Sequence, residues 1–198
     1  MKFKLYISTL AVALLIVACK QTVEKETAAE ESVSISYQED GLNQMVPDTV
    51  DGGEMLLGLI DRKELESPRH SEWFNNSYSE HRLDSLRVDS ITPLLAGVDI
   101  KIFMGSWCED SQREVPALMR ILDMSGYDSS TIEMIAIDHD KQTPDQKEEG
   151  YDVEYIPTII FSRDGKELNR IVEYPVNTLE MDMLQILREQ PYKHYYED

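Results

Sequence analysis

The segment from Gly105 to Pro116 constrains the fold of this chain more than any other, because it stands between a predicted strand and a predicted helix. Residues 98–104 (Val-Asp-Ile-Lys-Ile-Phe-Met) mix apolar and polar positions and are rich in β-branched side chains, which predicts a strand. Beyond the segment, apolar residues recur at helical spacing: Val115, Leu118, Met119 and Leu122. Cys108 is therefore expected at the start of a helix, where free backbone N–H groups and the helix dipole stabilise a thiolate.

Several elements in this order resemble the thioredoxin superfamily. Trp107-Cys108 looks like the start of that family's Trp-Cys-x-x-Cys motif, and Pro116 matches the proline that kinks its active-site helix. Residues 155–161 (Tyr-Ile-Pro-Thr-Ile-Ile-Phe) look like the cis-proline loop and the strand that follows it. The likeness covers roughly residues 82–190. It implies an α/β, thioredoxin-like fold, with a central mixed β-sheet flanked by helices.

The resemblance also implies a site. In the family the cis-proline loop lies beside the cysteine, so Trp107, Cys108 and Pro157 are expected to meet in space. Ile156 then presents its backbone to a bound peptide or thiol and pairs with it as a strand would. The implied catalytic residues are Cys108, Ser111 and Trp107, and the implied substrate-binding residues are Ile156, Pro157 and Trp107. No cofactor and no metal are implied.

The chain departs from the family at the second cysteine of the motif, where Ser111 stands. A second thiol would attack the mixed disulfide and release the partner, which serine cannot do. An external thiol must then resolve the mixed disulfide, or the partner stays attached. Ser111 is expected to donate a hydrogen bond to the sulfur, whereas Glu109 and Asp110 disfavour a thiolate because they carry like charge.

The N-terminus has the pattern of a bacterial lipoprotein signal. A basic start (Met-Lys-Phe-Lys) precedes an apolar stretch over residues 5–18, which is short for a membrane span of about 20 residues. The sequence Ile-Val-Ala-Cys that ends at Cys19 resembles a lipobox. Residues 1–18 are thus predicted to be a lipoprotein signal peptide, with Cys19 lipidated and the protein anchored through it to a membrane.

This interpretation places the domain in the bacterial cell envelope, in the periplasm or outside the cell. The chain has two cysteines, so with Cys19 lipidated Cys108 is its only free thiol. A lone thiol in an oxidising compartment favours pairing with another molecule. The expected partner is a protein or a small thiol or disulfide substrate.

Two further regions complete the predicted organisation. Residues 19–53 are rich in Glu, Thr and Ser and poor in large apolar residues, which predicts a flexible tether. Residues 54–96 show apolar residues near helical spacing, which predicts two or three short helices as an N-terminal extension. Residues 54–198 are therefore expected to form the thioredoxin-like domain together with this extension.

The charge and the acidic loop exclude two classes of partner. The net charge of −19 argues against nucleic acid, which needs a basic surface. Asp138, Asp140, Gln142 and Glu149 fall at EF-hand ligand positions, but Thr143 occupies the place of the required glycine. We therefore expect a solvated acidic loop there.

Two functions remain open at this point. In the first, Cys108 attacks a disulfide and an external thiol later releases it, which requires a reactive thiolate. In the second, the domain is a redox-inactive thioredoxin-fold module that binds an envelope partner, which requires no reactive thiol. Fold alone does not choose between them.

Overall fold

Six strands form one mixed β-sheet flanked by helices in the computed structural model, which describes residues 37, 38 and 41–197. The strands are β1 (Gln44–Pro47), β2 (Glu54–Ile60), β3 (Val98–Met104), β4 (Glu133–Ala136), β5 (Thr158–Arg163) and β6 (Lys166–Val172). The helices are α1 (Arg62–Leu65), α2 (Ser71–Glu80), α3 (Ser85–Ile91), α4 (Glu109–Met124) and α5 (Leu179–Leu187). The predicted α/β class, with a central mixed sheet and flanking helices, is confirmed.

The strand order across the sheet is β1-β2-β4-β3-β5-β6. Strands β3 and β4 are parallel, whereas the four other neighbouring pairs are antiparallel. Asp164-Gly165 is a dipeptide that predicts a hairpin turn from the sequence. It forms the turn between β5 and β6, where both residues have positive φ, as a tight hairpin turn requires. Strand β3 lies between β4 and β5. The Gly105–Cys108 loop therefore connects the carboxyl end of a central strand to the start of α4.

The two faces of β3 serve two apolar clusters. Ile100, Ile102 and Met104 face the larger cluster, which contains the buried side of α4. Phe103 faces the opposite way, into a smaller cluster with Ile137, Ile156 and Ile160, among others. This alternation follows from the period of two along a strand. The smaller cluster is the one against which Trp107 and Cys108 pack.

The predicted helical extension is wrong at its beginning. Residues 54–60 form β2, which pairs with β1 through its first half and with β4 through its second half. A short apolar run does not distinguish a strand from a buried helix by its pattern, and here the run is buried on both faces. The change of partner falls at Gly58, whose φ is 86°. A Cβ at this position would lie 2.6 Å from the Tyr37 hydroxyl. The prediction of short helices beyond this strand is confirmed.

Strand β1 lies inside the range predicted as a tether. Residues 44–47 pair with residues 54–57, and Val46 is buried. The hairpin forms because its partner strand supplies the apolar surface that the segment lacks by itself. The predicted signal peptide and the lipidation at Cys19 lie outside the described residues. In the part of the chain that the structure describes, no helix is long and apolar enough to span a membrane.

Asn177 and Glu180, three residues apart, have the sequence pattern of a capping box, which predicts a helix N-cap at Asn177. The observed start of α5 is one residue later. Thr178 is the N-cap, and its side chain accepts a hydrogen bond from the Met181 backbone N–H. Asn177 instead donates to the buried carboxylate of Asp182. Glu180 faces His81, whose Nε2 lies 3.0 Å from Glu180 Oε1.

Candidate functional site

Cys108 occupies the N-cap of α4, as the sequence predicts. Its N–H donates to the Gly105 carbonyl (3.1 Å), and its own carbonyl accepts from Gln112 N–H (3.0 Å). The thiol is half-buried and lies 3.6 Å from the carbonyl oxygen of Ile156, toward which it donates. The peptide bond between Ile156 and Pro157 is cis. The predicted meeting of the cysteine with the proline loop is therefore present.

The loop before Cys108 is held by three side chains. Ser106 Oγ accepts from the N–H of Leu56 in β2 (2.9 Å), and Gln112 Nε2 donates to the Ser106 carbonyl (2.7 Å). Ser111 Oγ accepts from Gly105 N–H (3.2 Å). These bonds fix the loop to both β2 and the first turn of α4, so the sulfur is presented from a rigid base.

Ser111 is not where the sequence analysis expected it to act. Its side chain is fully buried, and its Oγ accepts a hydrogen bond from the Gly105 N–H. It forms no hydrogen bond to the sulfur, whose thiol donates toward the Ile156 carbonyl. The physical reason is that a side chain in the first helical turn leans toward the helix N-terminus. There it meets the backbone of the loop before it meets Cys108. Ser111 therefore positions the loop.

Trp107 is fixed by its ring. Its Nε1 donates to the Ile137 carbonyl (3.1 Å), and its indole stacks on His139 with ring centroids 3.8 Å apart and planes 20° apart. The same ring packs against Met55 and neighbouring residues of the β1–β2 hairpin. It also closes over Gly105, where a Cβ would lie 2.7 Å from the indole. Trp107 thus joins the hairpin, the loop after β4 and the cysteine loop.

The imidazole beneath Trp107 is paired with a buried carboxylate. His139 Nε2 lies 3.0 Å from Asp48 Oδ1 and 3.1 Å from Asp48 Oδ2. Backbone N–H donation from Asp51, and then the bond to His139, lower the pKa of Asp48 below its ordinary value. Sequence reasoning missed both residues, because Asp48 lies in the predicted tether and His139 is in no motif. The 91 positions between them leave no local signal.

One group of residues in the described part of the chain has ligand atoms close enough to hold a metal ion. Its members are Asp48, Asp51 and His139, whose ligand atoms lie within 4.8 Å of one another. Hydrogen bonds already explain this group, because Asp48 Oδ1 accepts two backbone N–H groups as well as facing the imidazole. The residues at EF-hand positions, which begin with Asp138, are a separate set that shares no member with this group. Asp138 Oδ1 accepts hydrogen bonds from the N–H groups of Asp140 and Gln142 and so caps its own loop.

Three carboxylates lie in the first two turns of α4, after Cys108. Glu109 is exposed in the first turn of α4, and Asp110 forms an ion pair with Arg113. Glu114 is buried one turn further on, and Arg113 Nε lies 2.7 Å from it. Burial raises the pKa of Glu114. Two of these three carboxylates are thus paired with Arg113, and Glu109 is the exposed one.

Comparisons with known proteins add little to this geometry. No family model matches the chain, and no curated protein matches it. The search of solved structures finds a crystal structure of a protein of unknown function from Pseudomonas aeruginosa, with a TM-score of 0.47 and 16% sequence identity. The match covers 62% of this chain and 86% of that chain. A likeness at this level assigns neither a fold family nor a function.

Proposed function

We propose that this protein is a thioredoxin-like, monothiol thiol–disulfide exchange protein that acts through Cys108. The observation that carries the proposal is the position of the sulfur, at the N-cap of a long helix and 3.6 Å from the Ile156 carbonyl. A thiol so placed faces the segment on which a disulfide substrate would lie. The parallel β3–β4 pair, the antiparallel β5 and β6 and the helix directly after β3 support the thioredoxin-like fold.

The reaction consists of two balanced exchanges. The Cys108 thiolate attacks one sulfur of a disulfide, forms a mixed disulfide with it and expels the other sulfur as a thiolate. A thiolate from another molecule then attacks the mixed disulfide and expels one of its two sulfurs. When Cys108 is the sulfur expelled, the site is regenerated. No net oxidant is consumed, because each disulfide bond that breaks is replaced by another.

The surrounding residues have supporting parts in this proposal. The loop bonds through Ser106 and Ser111 keep the sulfur at the helix start, and Trp107 covers one side of it. Ile156 and Pro157 form the substrate-facing side. Because Ser111 replaces a resolving thiol, the mixed disulfide is long-lived until another thiol arrives. The lipid anchor at Cys19 and a location in the bacterial envelope belong to the same proposal and rest on the sequence pattern alone.

The second candidate is a redox-inactive binding module that uses the same surface. It is favoured by the carboxylates of Glu109 and Asp110 in the first helical turn, which oppose ionisation of the thiol. The thiol donates toward the Ile156 carbonyl, an acceptor that favours the thiol over the thiolate. In this case the tethered domain holds an envelope partner without reacting with it.

The rate of Cys108 alkylation against pH separates the two candidates. We would use the full chain carrying Cys19→Ser, in which Cys108 is the only thiol. The exchange function predicts that the native chain reacts with a pH midpoint at least about one unit below that of the same chain unfolded in urea. Equal midpoints, with slower reaction of the native chain, would support the binding module instead.

Trapping gives an independent check. A Cys-x-x-Ser site should retain partners as mixed disulfides that a reducing agent releases, and Cys108→Ser should retain none. The matched variant is Ser111→Cys, which restores a resolving thiol and should shorten the lifetime of those disulfides. Absence of mixed disulfides in the chain that retains Cys108, or a lifetime that Ser111→Cys leaves unchanged, would contradict the exchange function.

A further inference from the structure

A pocket of about 330 Å³ lies directly beside the segment that faces the thiol. Three parts of the chain line it: the loop that leads to the cis bond, strand β6, and the C-terminal tail. Tyr155, which precedes Ile156, forms part of its wall together with Tyr196 of the tail. The pocket is therefore one residue away from the carbonyl that contacts Cys108 Sγ.

The tail that closes the pocket is fastened to the domain. Tyr192 is buried, and its hydroxyl donates to Asp182 (3.0 Å) while its carbonyl accepts from Asn169 Nδ2 (3.1 Å). The Tyr196 hydroxyl donates to Glu173, and its ring stacks on Tyr155 with centroids 3.8 Å apart. These contacts hold the tail in place, so the pocket is a built feature of the surface.

The charges in the pocket are unbalanced toward the negative. Its carboxylates are Asp152, Glu154 and Glu197. The one cation in its lining is Arg170, which already donates to both oxygens of Glu167 (2.7 and 2.6 Å). Burial lowers the pKa of His194, although the carboxylate of Glu197, 4.0 Å from its Nε2, acts in the opposite direction. Arg170 also attracts Asp152, but Glu167 shares the same guanidinium, so negative charge still exceeds positive charge in the lining.

The wall of the pocket is aromatic and accessible. Tyr155 and Tyr196 remain 37% and 39% exposed although they stack on each other. Aromatic faces beside carboxylates bind ammonium and guanidinium groups, since the ring quadrupole and the carboxylate charge both attract a cation. An anionic ligand meets repulsion in this pocket.

We propose that this pocket binds a lysine or arginine side chain of a polypeptide substrate, one or two residues from the cysteine that exchanges with Cys108. A chain paired with residues 154–156 would place such positions opposite Tyr155 and Glu154, because paired strands match residue by residue. The inference rests on the proposed function and specifies its substrate class, a polypeptide with a basic residue near its reacting cysteine.

Two isomeric peptides test this inference. Each contains one cysteine, linked as a disulfide to 5-thio-2-nitrobenzoate, and one lysine, placed either two residues from the cysteine or about six, which is about 20 Å in an extended chain. Cys108 attacks the peptide sulfur, a new disulfide forms and the coloured thiolate is released. At low salt we expect the near isomer to react about five to ten times faster, falling to about twofold at 0.5 M salt.

Equal net charge in the two peptides removes the effect of the overall acidity of the protein. The variant Asp152→Asn/Glu154→Gln should bring the two rates within about twofold, and asparagine suits the positive φ of residue 152. The matched control is Glu72→Gln/Asp89→Asn, which removes two exposed carboxylates from α2 and α3. It should keep the preference. Equal rates for the two isomers in the unaltered pocket would overturn the inference and leave the exchange function standing.

A binding measurement covers the case in which neither peptide reacts. The proposed function would then fail, while the pocket is still tested by titrating a cysteine-free lysine peptide into the full chain and following the tyrosine ring resonances by NMR. Shifts at Tyr155 and Tyr196 that disappear in the Asp152→Asn/Glu154→Gln variant support the pocket. Absence of shifts overturns it.

Discussion

Two histidine–carboxylate pairs with the same shortest nitrogen–oxygen distance lie in different parts of this molecule. His81 Nε2 is 3.0 Å from Glu180 Oε1, and His139 Nε2 is 3.0 Å from Asp48 Oδ1. The carboxylate side chains are only 2% and 3% exposed. Both pairs join segments that are far apart in the sequence.

The pairs differ in what surrounds the imidazole. Glu180 Oε1 also accepts the N–H of Asp84, so the first pair fastens the chain between α2 and α3 to α5. The second pair fastens the β1–β2 hairpin to the loop after β4, but its imidazole also stacks against the indole of Trp107. The same interaction is thus a structural link in one place and a support for the thiol site in the other.

The largest expected effect comes from Glu180→Ala. It leaves His81 and the Asp84 N–H without their buried acceptor, which should lower the free energy of unfolding by about 2–3 kcal/mol. Urea unfolding measures this loss. The alkylation rate of Cys108 in the native state should stay within about twofold, because Glu180 touches no part of the site. A large change in that rate would contradict the separation of the two pairs.

Asp48→Asn should change the Cys108 alkylation rate more than the free energy of unfolding. The amide keeps an acceptor for the Val50 and Asp51 N–H groups but loses the charge that faces His139. We expect faster amide hydrogen exchange in the β1–β2 hairpin and a severalfold change in the Cys108 alkylation rate, as the Trp107 stack loosens. Loss of global stability without any change at Cys108 would show that this pair is structural too.

A third comparison divides the His139 contribution into stacking and hydrogen bonding. His139→Phe keeps an aromatic face for Trp107, whereas His139→Ala removes it. We expect the alanine variant to shift the Trp107 fluorescence and to alter Cys108 alkylation about two- to threefold, with a smaller effect of phenylalanine. Both are measured in a Trp73→Phe background, so that one tryptophan reports. Identical spectra for both variants would contradict the importance of the stack.

The smallest effect is a dependence of stability on acid pH. Burial is the largest single influence on the pKa of Glu180 and raises it, but the hydrogen bond and charge attraction from His81, together with hydrogen bonds from the Glu180 backbone and Thr178, leave that pKa lowered. A carboxyl group with a lowered folded-state pKa contributes stability above its unfolded pKa of about 4.3, and that stability is lost as the pH falls through the folded value. Glu180→Gln should therefore reduce the loss of unfolding free energy between pH 5 and 3, measured by urea titration; an unchanged slope would contradict it.

Local patterns predicted the centre of this protein. The strand over 98–104, the helix that Cys108 precedes and the turn at Asp164-Gly165 are confirmed, because each depends on residues close together in the sequence. The proximity of Cys108 to Ile156 was predicted through the resemblance to a family, and the structure has it. The redox activity, the lipid anchor and the substrate remain predictions.

The tertiary structure alone decided the rest. Residues 54–60 are a strand because β1 and β4 offer edges on both sides, which no local pattern reveals. Ser111 bonds to Gly105 because the loop backbone reaches it first. Asp48 and His139 meet beneath Trp107 only after the hairpin docks on the sheet. In each case the deciding contact joins residues that come together only when the whole sheet packs. Local sequence patterns do not show which residues those are.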